Sequence, residues 1–444
     1  MIKTSVTYKE IWKIAYPIIL GSIVQNIISV TDTAFLGRVG EVELGAAAIG
    51  GVFYLTLIML GFGFSIGTQI IVARRFGENR HSEIGETIEH SHYFLVLLAI
   101  SLVLLMKSTM PFIFDRVLES DQVRVATQEY LNYRILGLLF ACINFGFRAF
   151  YIGIGRTKVI TWTTIFMALA NVFFDYVLIF GNLGFSEYGI AGAAIASVIA
   201  EIAACIFFIV YTLKFTDIKY FGLFQFKAFS FKLLKKIITV SFPMMMQNFV
   251  SFIGWFFFFL FVEKMGEHPL AISNVIRSIY VVMLIPIWGF TSATNSLVSF
   301  VIGRNREEEV ISVVIKILKL CLVAVISLVV LNAAIPEMIL SIYTNNNNLI
   351  HDALPALYVV SIAAIFLTIG FVLFSGVSGT GMTKISFSIE TFVIGLYIAV
   401  TYLLVQVSDS KVEYVWAVEI FYGSIIGLLS YLYLKYGNWR NKRI

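Results

Sequence analysis

Two aspartates stand inside long apolar runs: Asp32 within 14–37 and Asp175 within 159–181. A charge in hydrocarbon costs at least ~2.5–3.5 kcal/mol on insertion scales, so intramembrane acids are the first place to look for function. Asp32 lies six residues before Arg38, and Asp175 lies six before Gly181. If both runs are helices pointing the same way, ~1.5 Å of rise per residue puts both carboxylates ~9 Å below one membrane face. Asn171 is one turn from Asp175 on the same helix face. The run 189–213 offers the Ser197 hydroxyl among Gly189, Gly192, Ala193, Ala194 and Ala196, small residues that let backbones approach closely. Oxygen donors of this kind suit a hard cation such as Na⁺, which would make Asp32, Asn171 and Asp175 a metal site. The same two carboxylates could instead share a proton. The plainer reading is that the acids and the amide satisfy polar groups between packed helices. Glu201, one turn beyond Ser197, and Gln25, earlier in the first run, would extend the network.

The elements that must carry these groups are written twice in the chain. Residues 17–80 align with 243–306 without a gap, and fifteen of the sixty-four positions are identical. The identities fall at punctuation: Pro17 and Pro243, Gly40 and Gly266, Gly63-Phe64 and Gly289-Phe290, Gly77-x-Asn79-Arg80 and Gly303-x-Asn305-Arg306. Gly153-x-Gly155-x-Thr157-Lys158 returns as Gly379-x-Gly381-x-Thr383-Lys384. Duplicated membrane chains are typical of transporters that rock about a shared site. The halves are chemically unequal: Phe258 stands where the first half has Asp32. The second half therefore offers Met244, Trp255, Phe258 and Arg277 as candidate lining for a ligand cavity, through stacking and cation–π contacts. Ordinary core or lipid-facing bulk is an equal reading for the aromatics. Glu390 and Glu419 are further acids within apolar runs, and similar depth makes an Arg277–Glu419 ion pair conceivable.

Composition fixes the solvent. Of 444 residues, 59% are hydrophobic and 13% charged, against roughly 25% charged in a soluble domain. Twelve apolar runs lie near 14–37, 45–73, 90–115, 126–152, 159–181, 189–213, 237–262, 270–302, 311–342, 350–377, 384–407 and 412–435. Each meets the ~20 residues that a spanning helix needs. The expected fold is an all-α integral membrane protein of twelve transmembrane helices in two six-helix repeats. Its parts are an N-lobe over 1–213 carrying the cation or proton site, a connector over 214–236, and a C-lobe over 237–444. The connector carries Phe221, Phe224, Phe226, Phe229 and Phe231 among lysines and reads as an amphipathic segment in the interface plane. Twenty-three Lys and Arg fall on the side of the N-terminus and seven on the other. The positive-inside rule then puts both termini in the cytoplasm.

Several classes drop out. The first apolar run is full-length and polar in its middle, unlike a cleavable signal peptide. Cys142, Cys205 and Cys321 lie singly in apolar runs and read as core residues, and no cofactor is implied. The net charge of +5 is an orientation signal rather than a nucleic-acid footprint. There is no HExxH, no nucleophile elbow and no His/Asp spacing for catalysis, so no enzyme is expected. Pro17 is either a helix start or a bend, and with Gly21 nearby it is a candidate hinge linking ion binding at Asp32 to helix shape.

Pro17, Gln25, Val30-Thr-Asp32-Thr-Ala-Phe-Leu-Gly37-x-x-Gly40 and the following Leu44-Gly-Ala-Ala resemble helix 1 of the MATE (multidrug and toxic compound extrusion) family. Asn171-x-x-x-Asp175-Tyr-x-Leu-Ile-Phe-Gly181, followed by Gly189-Ile-Ala-Gly-Ala-Ala-Ile-Ala-Ser197, resembles its helix 5–6 signature. The resemblance spans essentially the whole chain. It implies two six-helix lobes arranged as a V about a central cavity. It also implies an antiporter that exports organic cations or amphipathic drugs across the plasma membrane for H⁺ or Na⁺; the short loops and the Asn345–Asn348 run point to a bacterial inner membrane, and a monomer is expected. Members of the DinF-like kind bind the coupling ion in the first lobe, and those ligands fall on Asp32, Asn171, Asp175 and Ser197, where relatives often have Thr at the last position. Other members also use acids of helices 7 and 10, which lack mid-span acids here. The nearest alternative is a flippase for lipid-linked glycans of the same broad superfamily.

Overall fold

A computed structural model describes residues 6–406 and 410–440, all within helices, turns and short connections. In chain order the helices are α1 (Tyr8–Val39), α2 (Glu41–Gly77), α3 (Ser82–Val117), α4 (Asp121–Arg134), α5 (Gly137–Gly153), α6 (Lys158–Phe180), α7 (Gly189–Phe215), α8 (Ile218–Phe221), α9 (Phe231–Glu263), α10 (Glu267–Gly303), α11 (Val310–Ala334), α12 (Pro336–Ser341), α13 (Asn347–Gly379), α14 (Thr383–Gln406), α15 (Val412–Trp416) and α16 (Val418–Tyr436). Among the described residues, eleven spans are long and apolar enough to cross a membrane, and twelve if a bent pair counts as one. The bent pair is α4 and α5, at 46°. The sequence pattern reads this stretch as one unbroken span.

The chain forms two compact units, one of Leu20–Met245 and the other of the chain up to Ile19 together with Met246–Ile444. The breaks fall inside α1 and α9, two residues after Pro17 and two after Pro243. Pro17 is well inside α1, so it is no start signal.

In the first unit, α6 and α7 lie side by side. A Cβ on Gly192 would come within 2.5 Å of the Leu178 carbonyl oxygen, so only glycine permits this approach. In the second unit, α13 is central, packed by α10, α11 and α16. Its buried row of Ala353, Ala356, Val360, Ala363 and Leu367 explains how so apolar a helix is accommodated.

The connector between the repeats is docked on α3. The Glu89 carboxylate accepts from the backbone N–H of Gln225 at 2.8 Å and of Phe226 at 3.1 Å. His90 Nε2 accepts from Ser230 N–H at 2.8 Å, while its Nδ1 donates to the Glu86 carbonyl. Phe221 is buried, whereas Phe224, Phe226, Phe229 and Phe231 are exposed, as an interfacial segment requires.

Candidate functional site

The structure brings three of the sequence-predicted residues together in the first unit. Asn171 and Asp175 lie one turn apart on α6, and both are buried, at 1% and 0% exposure. Asp32, half-buried on α1, faces them. With its nitrogen turned to the acids, the Asn171 amide donates to Asp32 Oδ1 at 2.8 Å and to Asp175 Oδ2 at 3.3 Å. The two carboxyls lie within hydrogen-bonding reach of one another, a contact that needs a proton or a cation between them. Asp175 Oδ1 is buried and has no hydrogen-bond partner among the described residues. One turn further along both helices, Leu36 and Ile179 join Ala46, Ala126, Ile190 and Ala193 in an apolar cluster. This cluster closes one end of the acid pair against water, which sharpens its preference for a neutralising partner.

The remaining candidates fall outside this triad. Ser197 is half-buried on α7 and makes no hydrogen bond to either acid. Gln25 is exposed and is likewise not joined to them. Glu201 belongs to a neighbouring ion pair: its Oε1 accepts from Arg134 at 2.9 Å and from the Tyr54 hydroxyl at 3.0 Å. The Arg134 guanidinium stacks 3.7 Å from the Tyr54 ring centroid. Sequence reasoning missed Arg134 by counting it with an exposed face, although it lay within the predicted span 126–152. The signal was there: a buried Glu201 in mid-span calls for a counter-charge or a proton. Gly137 makes room for the pair, since a Cβ there would meet Glu201 Oε2 at 2.2 Å.

Gly21 packs against α6, where a Cβ would meet Thr164 Oγ1 at 3.4 Å. With Pro17 it brackets the point where α1 passes from one unit to the other. Met244 is buried in the first unit beneath Gly63. Phe258 is fully buried in the second unit, edge-on to Trp416 at 4.8 Å. Half-buried Trp255 lies beside Phe259 and Tyr280, and exposed Arg277 sits 5.2 Å from the Phe259 ring. The conceived Arg277–Glu419 pair does not form: Glu419 is buried and takes its hydrogen bonds from tyrosines instead.

A duplicated, all-helical membrane chain with a pair of intramembrane acids in one half has the construction of a secondary transporter. The family model for MatE matches it twice, over residues 17–177 and 243–403, an offset of 226 residues at both ends. The chain belongs to this family of MATE transporters. It is 24% identical over 383 residues to the probable multidrug resistance protein NorM of Thermotoga maritima, covering 84% of this chain and 80% of that one. Against the probable multidrug resistance protein NorM of Photorhabdus laumondii it is 22% identical over 426 residues, covering 95% and 92%. Among solved structures it is similar to an outward-facing multidrug resistance MATE family transporter of the MOP superfamily, with a TM-score of 0.89 and 19% identity over 96% of this chain and 95% of that one. At that identity the likeness speaks for the fold alone.

Proposed function

We propose that this protein is an efflux antiporter that exports organic cations or amphipathic drugs in exchange for H⁺ or Na⁺. The coupling ion binds at Asp32 and Asp175, steadied by the Asn171 amide. The observation that carries the reading is the meeting of two carboxyls from different helices, closed on one side by apolar residues, with one buried acid oxygen still free to accept. NorM relatives described as multidrug resistance proteins support the substrate class. An ion there relieves repulsion between the acids, and α1 transmits the change because it runs through the Pro17–Gly21 stretch into the other unit. Coupling requires only that the ion and the drug favour different states. The excess of Lys and Arg on one side places both termini in the cytoplasm.

The test is ethidium efflux from cells or inverted vesicles, with a Na⁺ gradient and a pH gradient imposed separately. Wild type should follow one gradient, and Asp32→Asn should lose that dependence at equal expression. Undiminished gradient-driven efflux in Asp32→Asn would refute the site.

A further inference from the structure

The second unit contains a buried acid cluster that the first-unit mechanism does not use. Tyr54 and Tyr280 occupy equivalent positions in the two repeats. Each donates its hydroxyl to a buried glutamate from the last long helix of its own half: Tyr54 to Glu201 at 3.0 Å, and Tyr280 to Glu419 Oε2 at 2.9 Å. The first pair is neutralised by Arg134. In the second, the corresponding help comes from the Tyr397 hydroxyl, which donates to Glu419 Oε1 at 2.9 Å and brings no charge. A second acid lies alongside. Glu390 Oε1 accepts from the Tyr422 hydroxyl at 2.8 Å and from Ser251. The Tyr397 and Tyr422 rings meet edge-on at 5.7 Å and join the two carboxyl sites.

Neither glutamate has an ion pair among the described residues, and both are essentially inaccessible, at 1% and 2% exposure. Among the described residues, four side chains donate hydrogen bonds to them: Tyr280 from α10, Tyr397 from α14, Tyr422 from α16 and Ser251 from α9. Of the charged side chains on the packed elements, Glu263, Arg277, Asp352, Lys384, Lys411 and Lys435 are exposed. Glu390 Oε2 is buried and has no hydrogen-bond partner among the described residues. An isolated carboxylate in such a place costs far more than a neutral carboxylic acid. Hydroxyl donors soften this cost but cannot cancel a charge.

We propose that Glu390 and Glu419, held by Tyr280, Tyr397 and Tyr422, form a proton-binding site of the second unit, with Glu390 Oε2 as the atom that takes the proton. The step is Glu390–COO⁻ plus H⁺ giving Glu390–COOH, with no other reactant. The site is independent of the ion bound at Asp32. A Na⁺-coupled first unit would leave it intact.

The experiment is pH-difference infrared spectroscopy of the full-length protein in liposomes, in an Asp32→Asn/Asp175→Asn background that silences the first unit. A protonated-carboxyl C=O band should appear on acidification in this background and be lost on adding Glu390→Gln. An unchanged band after Glu390→Gln overturns the assignment. Should Glu390→Gln fail to fold, Tyr422→Phe removes one donor to the same carboxyl and keeps the acid, so it should move the band frequency. A band that stays in place with Tyr422→Phe overturns the proposal equally.

Discussion

The Arg134–Glu201 pair gives the most quantitative test of the first unit. Its side chains are only 13% and 10% exposed, so solvent screens their attraction little. Removing one partner of a buried pair costs about 3–5 kcal/mol, because the remaining charge is left without compensation. Arg134→Met strands Glu201 with only the Tyr54 hydroxyl, and Glu201→Gln strands a guanidinium whose Nη1 already lacks a partner. Each single variant should therefore lose about 3–5 kcal/mol. The double variant should lose far less than their sum, since replacing a whole buried pair by neutral groups is often close to neutral. The assay is detergent-driven unfolding in mixed micelles, read by helical circular dichroism, for the four members of the cycle. Losses that simply add in the double variant would refute the claim that the two groups neutralise each other.

Two further outcomes follow from the packing. A Cβ on Gly67 would come 2.4 Å from Ser241 Cα, which is backbone and cannot swing aside. Gly67→Val should therefore separate α2 from the start of α9, seen as a thermal unfolding midpoint several degrees lower; an unchanged midpoint would contradict this close approach. His81, in the turn between α2 and α3, stacks on Tyr220 of the connector at 4.6 Å, and burial holds its pKa below the ordinary 6.5. The unfolded chain then binds the proton first, so this contribution is whole above about pH 6.5 and is lost as the pH falls toward the lowered native value. Thermal unfolding at pH 7 and pH 5 should show a smaller acid-induced drop in His81→Phe, which keeps the ring but cannot titrate; equal drops in both proteins would remove His81 from the account.

The spans, the repeat and the Asp32–Asp175 meeting were legible because each is written in local pattern. Apolar length, punctuating prolines and glycines, and two acids at equal depth need no knowledge of which helices touch. What stayed hidden depends on contacts between distant positions. Tyr54, Tyr280, Tyr397 and Tyr422 look like any aromatic of an apolar run, and only packing turns their hydroxyls toward carboxyls. Arg134 was counted with the cations of one membrane face although it lay inside the span 126–152, and no proline announces the break between α4 and α5 that positions it. Similar depth alone suggested Arg277 for Glu419, but depth leaves the helix face open, and Arg277 faces outward. The connector's tie to α3 rests on Glu89 and His90, whose partners lie far along the chain.

The placement of the unit boundaries bears on how the protein can be taken apart. The exposed stretch before Phe231 is the obvious place to divide the gene, since it separates the two repeats. A polypeptide ending there retains the chain up to Ile19, which belongs to the other compact unit, and lacks Phe231–Met245, which belongs to its own. Its complement has the converse fault. Neither fragment encodes a complete folding body, so the halves are expected to be recovered only when made together, each lending a segment of helix to the other. The repeat that is the natural unit of the gene is therefore not the natural unit of assembly.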